Sequence, residues 1–447
     1  MKHFITVKVV VCAISALWFA GARLKAQDWD VGSRLAEYID TETEGKLKLG
    51  VEQRVRFESR TGTNFGKDPD IETALVRTRI SLTYQPFKWL KFSGMAQDSR
   101  APWYGANAPN TIRDPIDLQE GYIEVLPEGK TGFGMTAGRM MLNYGEGRLI
   151  GTPQWSNLSR TYDNGRAYYT TPRARFEVLM VSPVKVIIGE FNHPDLGDRV
   201  WGTYDTFADV LGKNSVDVYL LRHDQNRPGG FTGGSKAAGT DRLGVNTLGF
   251  RLAGPLVEGV KYSVEGAAQN GTVGPAQHRA EAWFSSFSRR WTAVGKPLDV
   301  SGEYKFASGA RNPQDTSLSR TFDQLYAANH DKFGHEDLFG WRNIHNLRSV
   351  ATYGLTKSFA VNFMYNNFWL ASARDSLYNG SGKSIATSAN GSAGRHVGQE
   401  TDVFVTFKWR HFQTGAGYGY VYPGTFLLKT TPGVAPTYVY IFHTYSL

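Results

Sequence analysis

Apolar and charged positions alternate along this chain with the period of an extended strand. From Lys46 to Glu58, Leu47, Leu49, Val51, Val55 and Phe57 fall on one face, and Lys46, Lys48, Glu52, Arg54, Arg56 and Glu58 on the other. From Glu72 to Tyr84, Ala74, Val76, Thr78, Ile80, Leu82 and Tyr84 oppose Leu75, Arg77, Arg79, Ser81 and Thr83. Arg173, Arg175 and Glu177 oppose Ala174, Phe176, Val178 and Met180, and the pattern returns around 298–306 and 400–410. Successive side chains of a strand point to opposite sides of its sheet, so each segment predicts a strand with one apolar and one charged face.

Two architectures meet this pattern. A soluble sandwich hides its apolar face and wets the polar one. A membrane barrel turns the apolar face to lipid and lines a watery lumen with the charged one. Connection lengths separate the two. They read long at 59–71, short at Pro86-Phe87, long at 100–115, short around 127–130, long at 143–165, short at Ser182-Pro183 and long at 226–241. Later, 309–340 and 374–395 are long, Thr356-Lys357 and Arg410-His411 short, and Pro194–Gly197 is a brief exception. Short turns at one rim and long loops at the other predict an all-β fold: a transmembrane antiparallel up-and-down β-barrel of about 18 strands with short periplasmic turns and long extracellular loops. Tyr84, Trp89, Trp291 and Trp409, near strand ends, are expected in its aromatic girdles. The alternation of Val439, Ile441 and Tyr445, broken by His443, suits a closing strand.

Composition agrees: aromatics at 13 % and 49 glycines suit many strands joined by turns. The stretch MKHFITVKVVVCAISALWFAGARLKAQ carries Lys2 and Lys8, an apolar core and then small residues, which predicts a secretory signal peptide over 1–26 and a single outer-membrane barrel domain over 27–447. Cys12, the one cysteine, lies inside that apolar core, so disulfides and thiolate metal sites are excluded from the mature chain. A formal charge of +9 is a usual pointer to nucleic acid, but the basic residues alternate with acids and the signal removes the usual setting, so no nucleic-acid partner is expected.

Parity assigns many basic residues to the lumen, Arg139 among them. The pairs Arg54/Arg56, Arg77/Arg79 and Arg173/Arg175 each place two guanidinium groups on one face, a ladder suited to carboxylates. The stretch 138–167, GRMMLNYGEGRLIGTPQWSNLSRTYDNGRA, is the third long outer connection with its flanking strand ends. It is expected to fold inward and narrow the pore, bringing Arg148 and Arg160 beside Arg77, Arg79 and Arg139, with Asp163 holding Arg160 or Arg166.

Gly138-Arg139, GEGRLIG at 145–151, Trp155-Ser156-Asn157, Arg160-Thr161-Tyr162-Asp163 and Gly165-Arg166 together resemble the alginate export porin family. So do the Arg-x-Arg second strand, FDQLYAANHDKFGHEDLFGWRNIHNLR, and GQETDVFVTFKWR followed by GAGYGYVYPG. The resemblance implies an 18-stranded outer-membrane barrel whose electropositive constriction passes anionic polysaccharide or smaller carboxylates, with Arg77, Arg79, Arg139, Arg148, Arg160, Asp163 and Arg166 as filter candidates. The Arg410-His411 connection is too short for the periplasmic plug that a dedicated alginate exporter carries there, which makes a more open relative with another substrate plausible.

Two other constellations compete. His330, His335, Glu336 and Asp337 could bind a metal ion, yet no His-Glu-x-x-His or Asp-rich calcium pattern is present, and a solvated outer loop is the reading preferred. An outer-membrane enzyme would need a catalytic constellation, and no Gly-x-Ser-x-Gly elbow is found. The expected activity is passive diffusion of anionic polysaccharide, oligosaccharide or small carboxylates with no chemistry and no cofactor. A general or carbohydrate/phosphate porin is the alternative. Outer-membrane lipid and an anionic sugar are the expected partners; periplasmic partners and the direction of transport stay open.

Overall fold

A computed structural model of the protein describes residues 31–104, 108–226 and 242–447. The expected signal peptide with Cys12, and most of the 226–241 connection, lie outside them. Among the described residues no helix is long and apolar enough to cross a membrane. The crossing is made by strands.

The first nine are β1 (Leu47–Thr61), β2 (Ile71–Phe87), β3 (Leu90–Arg100), β4 (Asp114–Val125), β5 (Gly132–Met140), β6 (Tyr162–Thr170), β7 (Ala174–Lys185), β8 (Asp198–Val210) and β9 (Asn214–Asn226). The rest are β10 (Arg242–Val257), β11 (Val260–Val273), β12 (Ala276–Ala293), β13 (Lys296–Ala307), β14 (Ile344–Gly354), β15 (Phe359–Leu370), β16 (His396–Trp409), β17 (Phe412–Pro423) and β18 (Thr437–Ser446). Each pairs antiparallel with its neighbours in the chain, and β1 pairs with β18 from Glu52↔Ser446 to Thr61↔Thr437. The result is a closed 18-strand barrel of the outer-membrane type. Closure leaves no free sheet edge for lipid to meet.

Alternation decides what each strand shows to lipid. Ile80, Leu82 and Tyr84 are exposed on β2 while Arg77 and Arg79 are buried, and on β7 Phe176, Val178 and Met180 are exposed while Glu177, Leu179 and Val181 are buried. His443, which breaks the apolar face of β18, meets the Thr414 hydroxyl at 2.7 Å and stacks on Phe412. Tyr84, Trp89, Trp291 and Trp409 are all exposed and lie toward the short-turn rim.

Turns at that rim are brief, as at Lys88-Trp89, Gly295 and Arg410-His411. One expected turn is misplaced. Ser182 and Pro183 lie within β7, where Pro183 pairs with Tyr162; the short turn is at Thr171–Arg173, and the following outer connection is the full 186–197 segment instead of a brief one at Pro194–Gly197. A proline near a strand end costs the ladder little. At the opposite rim the connection between β11 and β12 is the exception, only Gly274-Pro275.

Two of the long outer connections enter the lumen. Segments 141–161 and 308–343 turn inward and bring Leu149, Ile150, Phe322, Phe333, Phe339 and Trp341 against Tyr162, Tyr204, Tyr219, Phe284 and Phe368 of the wall, a single apolar cluster. Phe322 and Phe339 are at 0 % exposure. Burying such side chains stabilises by about 1.5–3 kcal/mol each, enough to hold loops that carry no regular structure of their own.

Candidate functional site: loops strapped across the lumen

The 141–161 loop is tied first to itself. The Leu142 amide donates to Thr152 Oγ1 at 3.1 Å, the Thr152 amide to Asn143 Oδ1 at 2.9 Å, and the Thr152 hydroxyl to the Arg160 carbonyl at 3.0 Å. Its middle then runs along the arginines of β1 and β2. Arg54 donates to the carbonyls of Gln154 (2.9 Å), Trp155 (3.0 Å) and Ser156 (2.8 Å). Arg77 donates to the carbonyls of Gln154 (3.0 Å) and Ser156 (2.8 Å), and Arg79 to Gln154 Oε1 (3.0 Å) and Ser159 Oγ (2.7 Å). Arg56 donates to the Trp155 carbonyl and lies 4.1 Å from the centre of its ring. Arg54, Arg56 and Arg77 thus clamp the loop's backbone, and Arg79 holds its Gln154 and Ser159 side chains. Arg54 and Arg77 stand directly opposite each other in the ladder, a like-charge pairing that needs such partners. Their carboxylates are Glu52, at 2.7 Å from Arg77 and 3.9 Å from Arg79, and Glu58 on Arg56.

Arg148 and Arg160 also reach inward, but not to the places expected. Arg148 stacks 3.2 Å over Phe284 and pairs with Glu146 at 2.9 Å and Glu265 at 3.8 Å, away from Arg77 and Arg79. Arg160 donates to the carbonyls of Tyr326 (2.6 Å) and Ala327 (3.2 Å) in the 308–343 loop. The two loops are joined further where Ile150 bridges Tyr326: the Tyr326 amide donates to Leu149 and the Gly151 amide to Tyr326. Arg166 lies 3.5 Å from Glu177, which also takes Arg175 and the Tyr144 hydroxyl, and Arg175 stacks 3.5 Å over Tyr168.

Three candidates fall elsewhere. Arg139 continues the outward face of Phe133, Met135 and Ala137, opposite the buried Thr136 and Met140. There it pairs with Asp163 at 2.7 Å and donates to the Asn192 carbonyl at 2.8 Å under the 186–197 segment, so Asp163 holds Arg139 and neither Arg160 nor Arg166. Arg173 sits exposed in the turn between β6 and β7 and is no part of a lumen pair.

The 308–343 segment is not a solvated loop. Asp323 is buried, 2.6 Å from one ring nitrogen of His223, whose other nitrogen lies 2.9 Å from Asp198. Burial alone would raise the Asp323 pKa, but His223 and Arg342 hold it down at about 2. Gln269 donates to the Asp323 carbonyl at 2.7 Å, and Tyr326 donates to Asp198. His330 stacks on Trp155 at 4.9 Å and meets Asp337 at 2.7 Å, while His335 packs against Phe404 and Tyr440. Among the described residues, no group of three His, Asp or Glu has the geometry to hold a metal ion.

The ladder arginines Arg54, Arg56, Arg77 and Arg79 are all within 5 % exposure. More open are the side chains of Arg175 at 37 %, Arg60 at 22 % and Arg251 at 17 %. Arg60 and Arg251 lie outside any Arg-x-Arg pair, which is why the ladder pattern passes over them. Trp155 was likewise without a periodic signal. It links Arg56 of β1 to Tyr440 and Phe442 of β18, at 5.0 and 5.5 Å, and its indole nitrogen donates to the Tyr438 hydroxyl at 3.3 Å.

The fold is shared with porins of Pseudomonas. OccK11 (OpdR) of Pseudomonas aeruginosa aligns at 8 % identity over 90 % of this chain and 96 % of its own, with a TM-score of 0.60. A BenF-like porin of Pseudomonas fluorescens Pf-5 aligns at 8 % identity over 90 % and 98 %, TM-score 0.58. OpdK of P. aeruginosa, solved with vanillate, aligns at 8 % identity over 90 % and 98 %, TM-score 0.57. No curated protein matches by sequence. The alginate export family matches over residues 46–440, nearly the whole barrel. With its closed wall, two-faced strands and inward loops, the chain is an outer-membrane channel protein that belongs to the alginate export family.

Proposed function

We propose that the chain is a passive channel for anionic solutes, namely small carboxylates and short acidic saccharides, guided by the arginines of its lumen. The observation that carries this reading is the patch on β1 and β2: four guanidinium groups with Glu52 and Glu58 as their paired carboxylates. Their other hydrogen bonds go to neutral acceptors, the carbonyls of 154–156, the amide oxygens of Gln97 and Gln154 and the Ser159 hydroxyl, which satisfy donors without cancelling charge. A positive wall in a low-dielectric setting raises the local concentration of anions. The carbonyl oxygens of 154–156 occupy the donors that a carboxylate would take if the loop moved aside. No reaction and no cofactor are invoked.

Size argues for small solutes over a long polymer. The two inward loops are bridged at Ile150 and Tyr326 across an apolar cluster, and a polymer would have to break that bridge. The two-residue turn at Arg410-His411 leaves no long periplasmic plug at that position. OpdK, solved with vanillate, offers a carboxylate precedent in a similar barrel. Planar-bilayer recordings across a salt gradient test the reading: a reversal potential showing anion preference is expected, and a cation preference sinks it. Oligouronates should also block current better than neutral oligosaccharides of equal size; equal block would favour a general porin.

A further inference from the structure

Three carboxyl groups, from Glu336 of the 308–343 loop and Glu400 and Asp402 of β16, meet inside the lumen. Their residues are 3 %, 0 % and 1 % exposed. The Glu336 amide donates to Glu400 Oε1 at 3.0 Å. Gly334, at φ +94°, rests directly on that carboxyl: a side chain there would begin 2.1 Å from it. Around Gly419, Asp402 Oδ1 and Glu336 Oε1 converge within 2.7 and 3.7 Å of where a side chain would start. Glu336 Oε1, Glu400 Oε2 and both Asp402 oxygens lack a well-formed hydrogen bond, with only the His335 amide directed at Asp402. Glu400 and Asp402 lie two residues apart on the same buried face of β16, so their carboxyls share this site with that of Glu336.

We propose that Glu336, Glu400 and Asp402 form a proton-operated latch that holds the 308–343 loop in the lumen and releases it as the acids ionise. The surrounding groups do not supply the missing charge. Arg60 of β1 lies 3.6 Å from Glu336 but is shared with Glu58, which also takes Arg56 and Tyr438. Arg348 of β14 is turned to Glu303, and Asp337 is taken by His330. Burial and His330 hold His335 down at about 4, so it is neutral. Burial, opposed by Arg60 and reinforced by Asp402, Asp337 and Glu58, pushes Glu336 up to about 8 from its ordinary 4.5. A raised pKa means that the latch is fully present below about 4.5 and is lost as pH rises through about 8, each proton changing the latched-to-released ratio up to about tenfold per pH unit between them.

The full mature protein in planar bilayers, recorded in symmetric potassium chloride from about pH 5 to about pH 9, tests this. Open probability should rise by at least about tenfold across the series, and the Glu400→Gln/Asp402→Asn double variant should stay closed at the alkaline end. An open probability that is flat in the wild type, or that rises equally in the variant, overturns the proposal. If the double variant fails to show heat-modifiable migration, Glu336→Gln serves in its place with the same two outcomes. Open probability is read separately from reversal potential, so the latch and the anion preference fail independently.

Discussion

Replacing Arg77 with alanine separates two roles that the ladder arginines combine. Arg77 gives two charge-assisted bonds to the carbonyls of Gln154 and Ser156 and a 2.7 Å pair to Glu52. Bonds from a charged donor contribute about 1.5–3 kcal/mol each, so the strap loses about 3–6 kcal/mol. Relief of the Arg54–Arg77 opposition returns about 0.2–1 kcal/mol. The balance, about 2–6 kcal/mol, makes local release of 154–156 more frequent by more than about tenfold. Arg160 and the Ile150–Tyr326 bridge still anchor the rest of the loop. Single-channel recordings should therefore show larger and noisier conductance together with weaker anion preference. Arg77→Lys, which keeps the charge but not the fork that reaches both carbonyls, should keep the preference and show the noise. Unchanged conductance in Arg77→Ala would refute the strap, whatever happens to selectivity.

Arg139→Ala should leave reversal potential unchanged while exposing the 186–197 segment to protease, because its partners Asp163 and the Asn192 carbonyl lie on the outer face. Trp341→Ala removes a side chain 2 % exposed whose indole nitrogen donates to the Phe306 carbonyl at 3.0 Å; a loss of about 3–5 kcal/mol should loosen 308–343, seen as faster proteolysis of an otherwise folded barrel. The Asp323 carboxyl, held at about 2, contributes stability that is present above its ordinary 3.8 and is lost as pH falls through about 2. Protection of the loop from an acid-active protease should thus persist at about pH 3 and be lost there in His223→Ala.

The wall was legible because lipid and water impose opposite demands on neighbouring residues. Leu47 to Glu58 and Glu72 to Tyr84 alternate in the structure as they do in the sequence. Two errors had local causes. Ser182-Pro183 has turn composition, yet strand pairing absorbs it at the end of β7. Arg139, assigned to the lumen by parity, instead shares the outward face of Phe133, Met135 and Ala137. The inward loops were harder. The 141–161 loop signalled itself through Gly and Arg, but apart from Glu146 the partners of Arg148 and Arg160 come from β11, β12 and 326–327, distant in sequence and with no periodicity to connect them. The large apolar residues Phe322, Phe333, Phe339 and Trp341 were the available sign that 308–343 is buried. Glu400 and Asp402 belong to the regular alternation at 400–410, and only the 308–343 loop, which brings Glu336 onto them, sets them apart from other wall acids.

Trp155 bears on assembly as well as on passage. The barrel is complete only when its first and last strands meet, and this one side chain, carried on a loop from the middle of the chain, touches Arg56 on the first and Tyr438, Tyr440 and Phe442 on the last. The same contact that narrows the pore therefore rivets the join from within. Loosening the strap would also remove side-chain contacts that reinforce the ladder where the two ends of the cylinder are sewn together.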